Sequence, residues 1–308
     1  MGKIVVSGAS GDLGKRITAL LLESIAPSEL VLVTRTPGNL AAQAEKGVTL
    51  RQGNYREPET LLQAYRGAEV LMLISSLDVA KRVPEHRNAI EAAKAAGIKH
   101  IVYTSCGGIH PRNPVLSVSD HIVTEADLRE CGLGHTILRN QTYSEVFPTI
   151  AAPAVVPSGK WYQAAGSGRF APVSKRDIAR CAVACLLNPA WHDKAVYEIT
   201  GPEMLGYAEI AAIAADIYDT PIEYNPITVE ERFAQFDAMG VPRKFDPDMP
   251  THEFAQKWCS EEMVSQDEGF AGNFYAILSD HVELITGRKP MSLREVFVLC
   301  KGKDYDDC

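Results

Sequence analysis

No stretch of the 308-residue chain approaches the ~20 consecutive apolar residues that a membrane-spanning helix requires. The chain starts Met1-Gly2-Lys3 and passes straight into an apolar strand pattern, without the order of a secretory leader. Val6 stands where a myristoylation signal carries Ser or Thr. The seven cysteines, at 106, 131, 181, 185, 259, 300 and 308, are odd in number and widely spaced, which suits neither a disulfide framework nor a zinc knuckle. Cys181 and Cys185 fall in an apolar helical run and read as small core residues. Positive charge is also short: 31 Lys/Arg against 39 Asp/Glu leave −8, which argues against a general nucleic-acid binder. There is no internal repeat and no low-complexity tract. These absences point to a cytoplasmic, reduced, globular protein without a membrane or nucleic-acid partner or a metal, existing as a monomer or homodimer.

What is present has a clear rhythm. Short apolar runs at 3–7, 29–35, 48–54, 68–76, 98–105 and 135–140 alternate with helical patterns at 40–46, 58–66, 84–97 and Asp120–Cys131, the first helix running through Leu13, Ile17 and Leu21. Runs that are apolar throughout belong to parallel strands covered on both faces. The expected fold class is therefore α/β: a Rossmann-type doubly wound parallel sheet with a smaller, mostly helical C-terminal substrate lobe. Residues 1–150 form the NAD(P)-binding part, with 174–200 returning to it; 151–173 and 201–308 form the lobe. Charge follows this division, with 22 Lys/Arg against 18 Asp/Glu in residues 1–200 and 9 against 21 afterwards. Ser174 and Ser292 are expected helix N-caps, Glu295 completes a capping box, and the tail KGKDYDDC is expected to fray.

The strongest motif is Gly8-Ala9-Ser10-Gly11-Asp12-Leu13-Gly14, which follows the first strand and opens a helix. Gly8 permits the tight turn, Gly11 lets a pyrophosphate approach the backbone, and Gly14 lets helix and strand pack closely. The end of the second strand, Thr34-Arg35-Thr36, has no acid to meet a ribose hydroxyl, and Arg35 matches a 2′-phosphate, so NADPH is preferred to NADH. Asn54 and Tyr55 are expected at the adenine, Ser75, Ser76 and Leu77 along the adenosine side, and Thr104, Ser105 and Asn140 near the nicotinamide, because this fold places ligands at the carboxyl ends of its strands.

The stretches SGASGDLG (7–14), LVTR (32–35), LRQGNY (50–55), HRNAIEAAKAAGIKHIVYTS (86–105), DHIVTEADL (120–128), HTILRNQTYSE (135–145) and VYEITGPEMLGYAEIA (196–211) resemble the atypical short-chain dehydrogenases/reductases of the NmrA-like group, in particular type 2 NADPH:quinone oxidoreductases and triphenylmethane reductases. The resemblance spans roughly residues 1–240. It implies an NADPH-dependent oxidoreductase that passes hydride to a quinone-like or other conjugated aromatic small molecule. The group also implies two alternatives: a non-catalytic NADP(H)-binding redox-sensing regulator, and a benzylic-ether or carbonyl reductase of an aromatic pathway. The Tyr with a Lys four residues on, used by ordinary short-chain dehydrogenases, is absent at all 11 tyrosines. Hydride transfer to a conjugated acceptor can instead rest on cofactor positioning. The resemblance implies His121, taken as starting the helix Asp120–Cys131, as the catalytic side chain; a helix-start histidine bridging backbone or cofactor is the competing reading. Tyr143 is a candidate both as a proton donor and as a wall for the substrate. His110, Trp161 and Phe233 are further candidates for the acceptor pocket, drawn from a pool that includes Tyr162, Phe170 and Phe236. The segment 243–274, with Phe245, Trp258 and Phe274, is read as a substrate cap or partner surface.

Overall fold

The computed structural model describes residues 2–77, 81–244 and 259–308. Strand β1 (Lys3–Ser7) leads into α1 (Asp12–Leu22), followed by β2 (Leu30–Thr34), α2 (Ala41–Glu45), β3 (Thr49–Gln52), α3 (Pro58–Tyr65), β4 (Ala68–Leu73), α4 (Arg82–Ala96), β5 (His100–Cys106), α5 (Leu116–Glu130) and β6 (Gly134–Asn140). A short α6 (Ala152–Val155) and β7 (Lys160–Gln163) leave this layer, α7 (Lys175–Leu187) and β8 (Ala195–Ile199) rejoin it, and α8 (Tyr207–Tyr218), β9 (Glu223–Pro226), α9 (Val229–Ala238), α10 (Ser260–Ala271), α11 (His281–Thr286) and α12 (Leu293–Cys300) complete the chain. Seven strands form one parallel sheet in the order β3-β2-β1-β4-β5-β6-β8, and β7 pairs with β9 in a second parallel sheet. This is the Rossmann-type arrangement with a helical lobe. No helix among the described residues is long and apolar enough to cross a membrane.

The central strands β1, β2 and β4 are largely apolar because each feeds two cores. Alternate residues face opposite sides of a sheet. Ile4, Val6, Leu30, Leu32, Val70 and Met72 pack with Leu13, Ile17 and Leu21 of α1 and Ile178, Ala179 and Ala182 of α7. Val5, Val31, Val33, Leu71 and Leu73 pack with Leu61 and Tyr65 of α3, Ala89, Ile90 and Ala93 of α4, and Leu128 of α5. Each fully buried Leu, Ile or Val contributes roughly 1.5–3 kcal/mol relative to exposure. Cys181 and Cys185 lie in the first of these cores, where burial holds both thiols protonated and pushes Cys185 up to about 12.

Chain order reverses between β1 and β4: β2 and β3 lie to one side of β1, and the chain then returns to add β4 on the other. At such a switch point the helical connections diverge and leave a crevice at the strands' carboxyl ends. Several local expectations hold there and beyond. Gly97 closes α4 with φ 83°, Ser174 Oγ accepts from the Arg176 amide, and the Ser292–Glu295 capping box is present.

Three expectations change. Helix α5 begins at Leu116, so His121 lies within the helix and not at its start. The extended Val115 after Pro114 (φ −62°, ψ 120°) is the N-cap, and LSVS supplies a full turn ahead of Asp120. The tail does not fray. Cys300 and Cys308 are joined in a disulfide with a Cα–Cα distance of 5.1 Å, contrary to the reduced reading of all seven cysteines. Thirdly, Trp161 and Phe170 do not stand on an open wall. They are 3% and 0% exposed in the aromatic core of the lobe, with Phe147, Tyr207 and Phe270, and the Phe170 and Phe270 rings stack at 4.3 Å.

Candidate active site

The turn after β1 is tied down by its backbone and leaves space beside Gly11. The amides of Gly8 and Ala9 both donate to the Val33 carbonyl at 3.1 Å, which ties the turn to the end of β2. Gly8 has φ 81°, a left-handed conformation that costs glycine no steric penalty. A side chain at Gly14 would place its Cβ 2.5 Å from the Gly8 carbonyl oxygen, so helix and turn pack too closely for any other residue. At Gly11 the nearest atom to such a Cβ would be the same oxygen, at an ordinary 3.5 Å. Space is therefore left on that side, which fits a pyrophosphate better than a packing requirement. The first amides of α1 have no partner within the helix and carry the positive end of its dipole.

Other residues around the turn are committed to one another. Ser10 Oγ bonds Thr34 Oγ1 at 2.8 Å. The Asp12 carboxylate pairs with Arg16 at 2.8 Å and with Lys175 at 2.5 Å, leaving only its backbone amide for an anion. Arg35, by contrast, is exposed and makes no hydrogen bond or ion pair among the described residues.

Asn54 does not offer its amide to a base. Its Nδ2 donates to Glu57 at 2.7 Å and its Oδ1 accepts from the Arg56 amide, so the side chain is spent on its own turn, as Asn commonly is. Tyr55 donates its hydroxyl to the Ile74 carbonyl at 2.8 Å. Beyond β4, the Ser75 amide donates to Thr104 Oγ1 and Leu77 is 73% exposed. Ser105 points to the opposite face of the sheet from Thr104, and its hydroxyl donates to Glu125, which Arg139 and Arg129 also bind. The two neighbours part because successive side chains alternate across a strand.

The end of β6 is unusual. Among the described residues, both amide atoms of Gln141 are buried without a hydrogen bond, and those of Asn140 have none of normal geometry, with the Tyr143 hydroxyl the neighbour nearest to making one. Unsatisfied buried polar groups cost about 1–3 kcal/mol each, so such a cluster suits hydrogen bonds to water or to a partner from outside the chain. Tyr143 lies beside Asn140, and burial, with Glu145 nearby, pushes its hydroxyl up to about 12, which keeps it protonated. His121 is 5% exposed and its Nδ1 lies 2.6 Å from the Tyr103 hydroxyl. Burial, reinforced by the Arg82 guanidinium, pushes the imidazole well below its usual range, so it is neutral.

A model of the NAD(P)H-binding family matches residues 8–189. The chain belongs to that family. Quinone oxidoreductase 2 of Escherichia coli is 36% identical over 240 residues, covering 78% of this chain and 82% of the relative. The crystal structure of an E. coli NADPH-dependent quinone oxidoreductase complexed with NADPH superposes with a TM-score of 0.86 at 30% identity, covering 96% of this chain and 99% of that one. Triphenylmethane reductase of Citrobacter sp. gives a TM-score of 0.84 at 25% identity, covering 97% and 99%. This chain is thus an NmrA-like oxidoreductase of the NAD(P)H-binding family.

In this NmrA-like oxidoreductase the remaining candidates are dispersed. The His110 ring lies 5.6 Å from that of Phe274, tilted by 37°, and accepts from the Arg112 amide. Phe233 packs against Phe236, Val241 and Val264, under the Arg243 guanidinium at 4.8 Å. Phe245 and Trp258 lie outside the described residues. Cys106 has its thiol pushed up to about 12 by burial, so it is a packed, protonated thiol. Reading along the sequence missed four residues that shape this region. Arg82 holds the Ser76 and Leu77 carbonyls at 2.6 and 3.1 Å, and Glu145 accepts from Ser174 and from the Lys175 amide at the start of α7. Lys175 is 1% exposed, and its ammonium lies 3.5 Å from the ring centre of Tyr305 and donates to the Tyr305 carbonyl at 2.9 Å. Local sequence held one usable signal, the polar Ser-Lys-Arg opening α7, but nothing in it tells a buried lysine from a solvated one.

Proposed function

We propose that the protein is an NADPH-dependent reductase that delivers hydride to a quinone-like or other conjugated aromatic acceptor. The observation that carries the cofactor half is the open Gly11 side of the turn, tied to a β2 end whose arginine is exposed and unpaired. In this reading the Gly8–Gly14 turn and the α1 amides hold the pyrophosphate and Arg35 holds the 2′-phosphate. Ser75, Ser76 and Leu77 border the adenosine side, while Asn140, with Thr104 behind it, orients the nicotinamide amide. A bound NADPH supplies the hydride. His121 Nε2 donates a hydrogen bond to the acceptor oxygen as charge builds on it, and the final proton comes from water. A neutral imidazole suits this role because it polarises a carbonyl without releasing its own proton first. Tyr143, protonated by its environment, lines the acceptor space. The names of the quinone- and dye-reducing relatives support the acceptor class. The division into a dinucleotide part (1–150 with 174–200) and an acceptor lobe (151–173 and 201–308), and a cytoplasmic setting, belong to the same proposal.

NADPH oxidation measured with a panel of quinones and enones tests it. Turnover well above the oxidase background is expected with at least one acceptor. Tight NADPH binding with no acceptor-stimulated turnover would sink the reading and favour a dinucleotide-binding regulator. Arg35→Ala is expected to weaken NADPH by roughly 10- to 100-fold, the worth of a charge-assisted hydrogen bond, and to leave NADH within twofold. Equal losses by calorimetry for the two cofactors would remove the 2′-phosphate role.

A further inference from the structure

We infer that Tyr103 and His86 are positioning residues that hold His121 in its Nε2–H tautomer, so that the imidazole meets the acceptor as a hydrogen-bond donor. The inference deepens the proposed role of His121 and its functional meaning rests on that reading, but the tautomer itself is set by hydrogen bonds within the fold.

The direction of each bond follows from one group that can only donate. The Ser76 backbone N–H lies 3.1 Å from His86 Nε2, so Nε2 must be the unprotonated, accepting nitrogen. His86 is 1% exposed, and burial, aided by Arg82, pushes it down to about 3, so the ring is neutral and its single proton is on Nδ1. Nδ1–H donates to Thr124 Oγ1 at 3.0 Å, and the threonine passes its own proton to the Asp120 carbonyl at 2.9 Å. The same nitrogen lies 3.5 Å from the Tyr103 oxygen and, being protonated, cannot accept from it. Thr124 is a further neighbour of the Tyr103 hydroxyl, but its Oγ1 already accepts from His86 and donates to the Asp120 carbonyl. Among the described residues, the short hydrogen bond of the Tyr103 hydroxyl is the one to His121 Nδ1, at 2.6 Å, and in this reading the hydroxyl donates it. An imidazole that accepts at Nδ1 carries its proton on Nε2.

These groups are rigidly placed. Tyr103 is 0% exposed on β5, between His86 on α4 and His121 on α5, and the His86 and Tyr103 rings meet edge-on at 5.4 Å. The Ser76 amide is fixed as well, because Arg82 binds the carbonyls of both Ser76 and Leu77 and so holds the Ser76 segment in place. The loop along the proposed adenosine side thereby fixes the tautomer of His86, which in turn denies the Tyr103 hydroxyl an acceptor at His86 Nδ1.

The test is nitrogen NMR of the whole ¹⁵N-histidine-labelled protein, with and without NADP⁺. His121 is expected to show a protonated Nε2 and an unprotonated Nδ1, and His86 the reverse. A protonated Nδ1 on His121 would overturn the inference even if every acceptor assay succeeded. Tyr103→Phe is expected to move the His121 Nδ1 resonance and to slow single-turnover hydride transfer roughly 10- to 100-fold, the effect typical of groups that orient another histidine, with NADPH affinity unchanged. An unchanged Nδ1 resonance or an unchanged rate in this variant would also overturn it. Since the wild-type tautomer is read without any acceptor, a failed turnover panel would count against the functional proposal alone.

Discussion

Lys175→Met is expected to lower the unfolding free energy by about 3 kcal/mol and the melting temperature by roughly 6 °C. The lysine ammonium is almost wholly removed from water and has three partners: the Asp12 carboxylate, the Tyr305 carbonyl and the Tyr305 ring. Breaking a buried pair from one side leaves the other charge short of a partner, which costs more than the pair was worth. Arg16 still holds one Asp12 oxygen, so the loss falls at the lower end of the range for buried pairs. The pairing also explains why the tail packs down. Its one large side chain, Tyr305, comes within electrostatic reach of Tyr143, Glu145 and Asp12, and the Cys300–Cys308 bond closes the segment around it. Trypsin should therefore cut at Lys301 and Lys303 faster in the variant. The double variant Asp12→Asn with Lys175→Met should recover part of the lost stability, since neither charge then remains buried alone. A single variant that melts within a degree of wild type would show that the pair contributes nothing.

The second large effect is expected in chemistry rather than stability. His121→Ala should slow single-turnover hydride transfer by about 10²- to 10⁴-fold, the range for a positioned acid–base or hydrogen-bonding group, while NADPH affinity stays within twofold. Because burial and Arg82 hold the ring neutral, its contribution to the wild-type rate should not titrate between pH 8 and 6. A rate that follows an ionisation near pH 6.5 would assign the effect to an imidazolium. An unchanged single-turnover rate in the variant would leave His121 with a structural role only.

Much of the architecture could be read from local pattern. Glycine spacing at 8, 11 and 14, largely apolar strands of five or six residues, and capping residues at 174 and 292 each act through atoms a few positions away. Their consequences are therefore written in the immediate neighbourhood. The same holds for Arg35, whose freedom follows from a strand end with no acid beside it.

Errors arose where a residue's partner comes from elsewhere in the chain, or where two local uses compete. Asn54 can bond a base edge or its own turn, and composition does not choose between them; the turn takes it. Ser105 and Thr104 are adjacent at one strand end, yet Glu125 on α5 claims the first and the loop after β4 the second. Trp161 is a generic candidate wall until Phe147 and Tyr207 close over it.

By itself, then, the sequence determined the parallel sheet, its two-sided cores and the glycine turn after the first strand, because backbone geometry and side-chain period are properties of a few consecutive residues. Only the tertiary structure decided that His121 sits inside a helix, bonded to a Tyr103 that packs edge-on against His86, and that Lys175 is buried under a tail some 130 residues later. It also decided that seven scattered cysteines include a bonded pair. Those outcomes depend on which distant segments meet, and the free energy of such meetings comes from desolvation and pairing that no local period records.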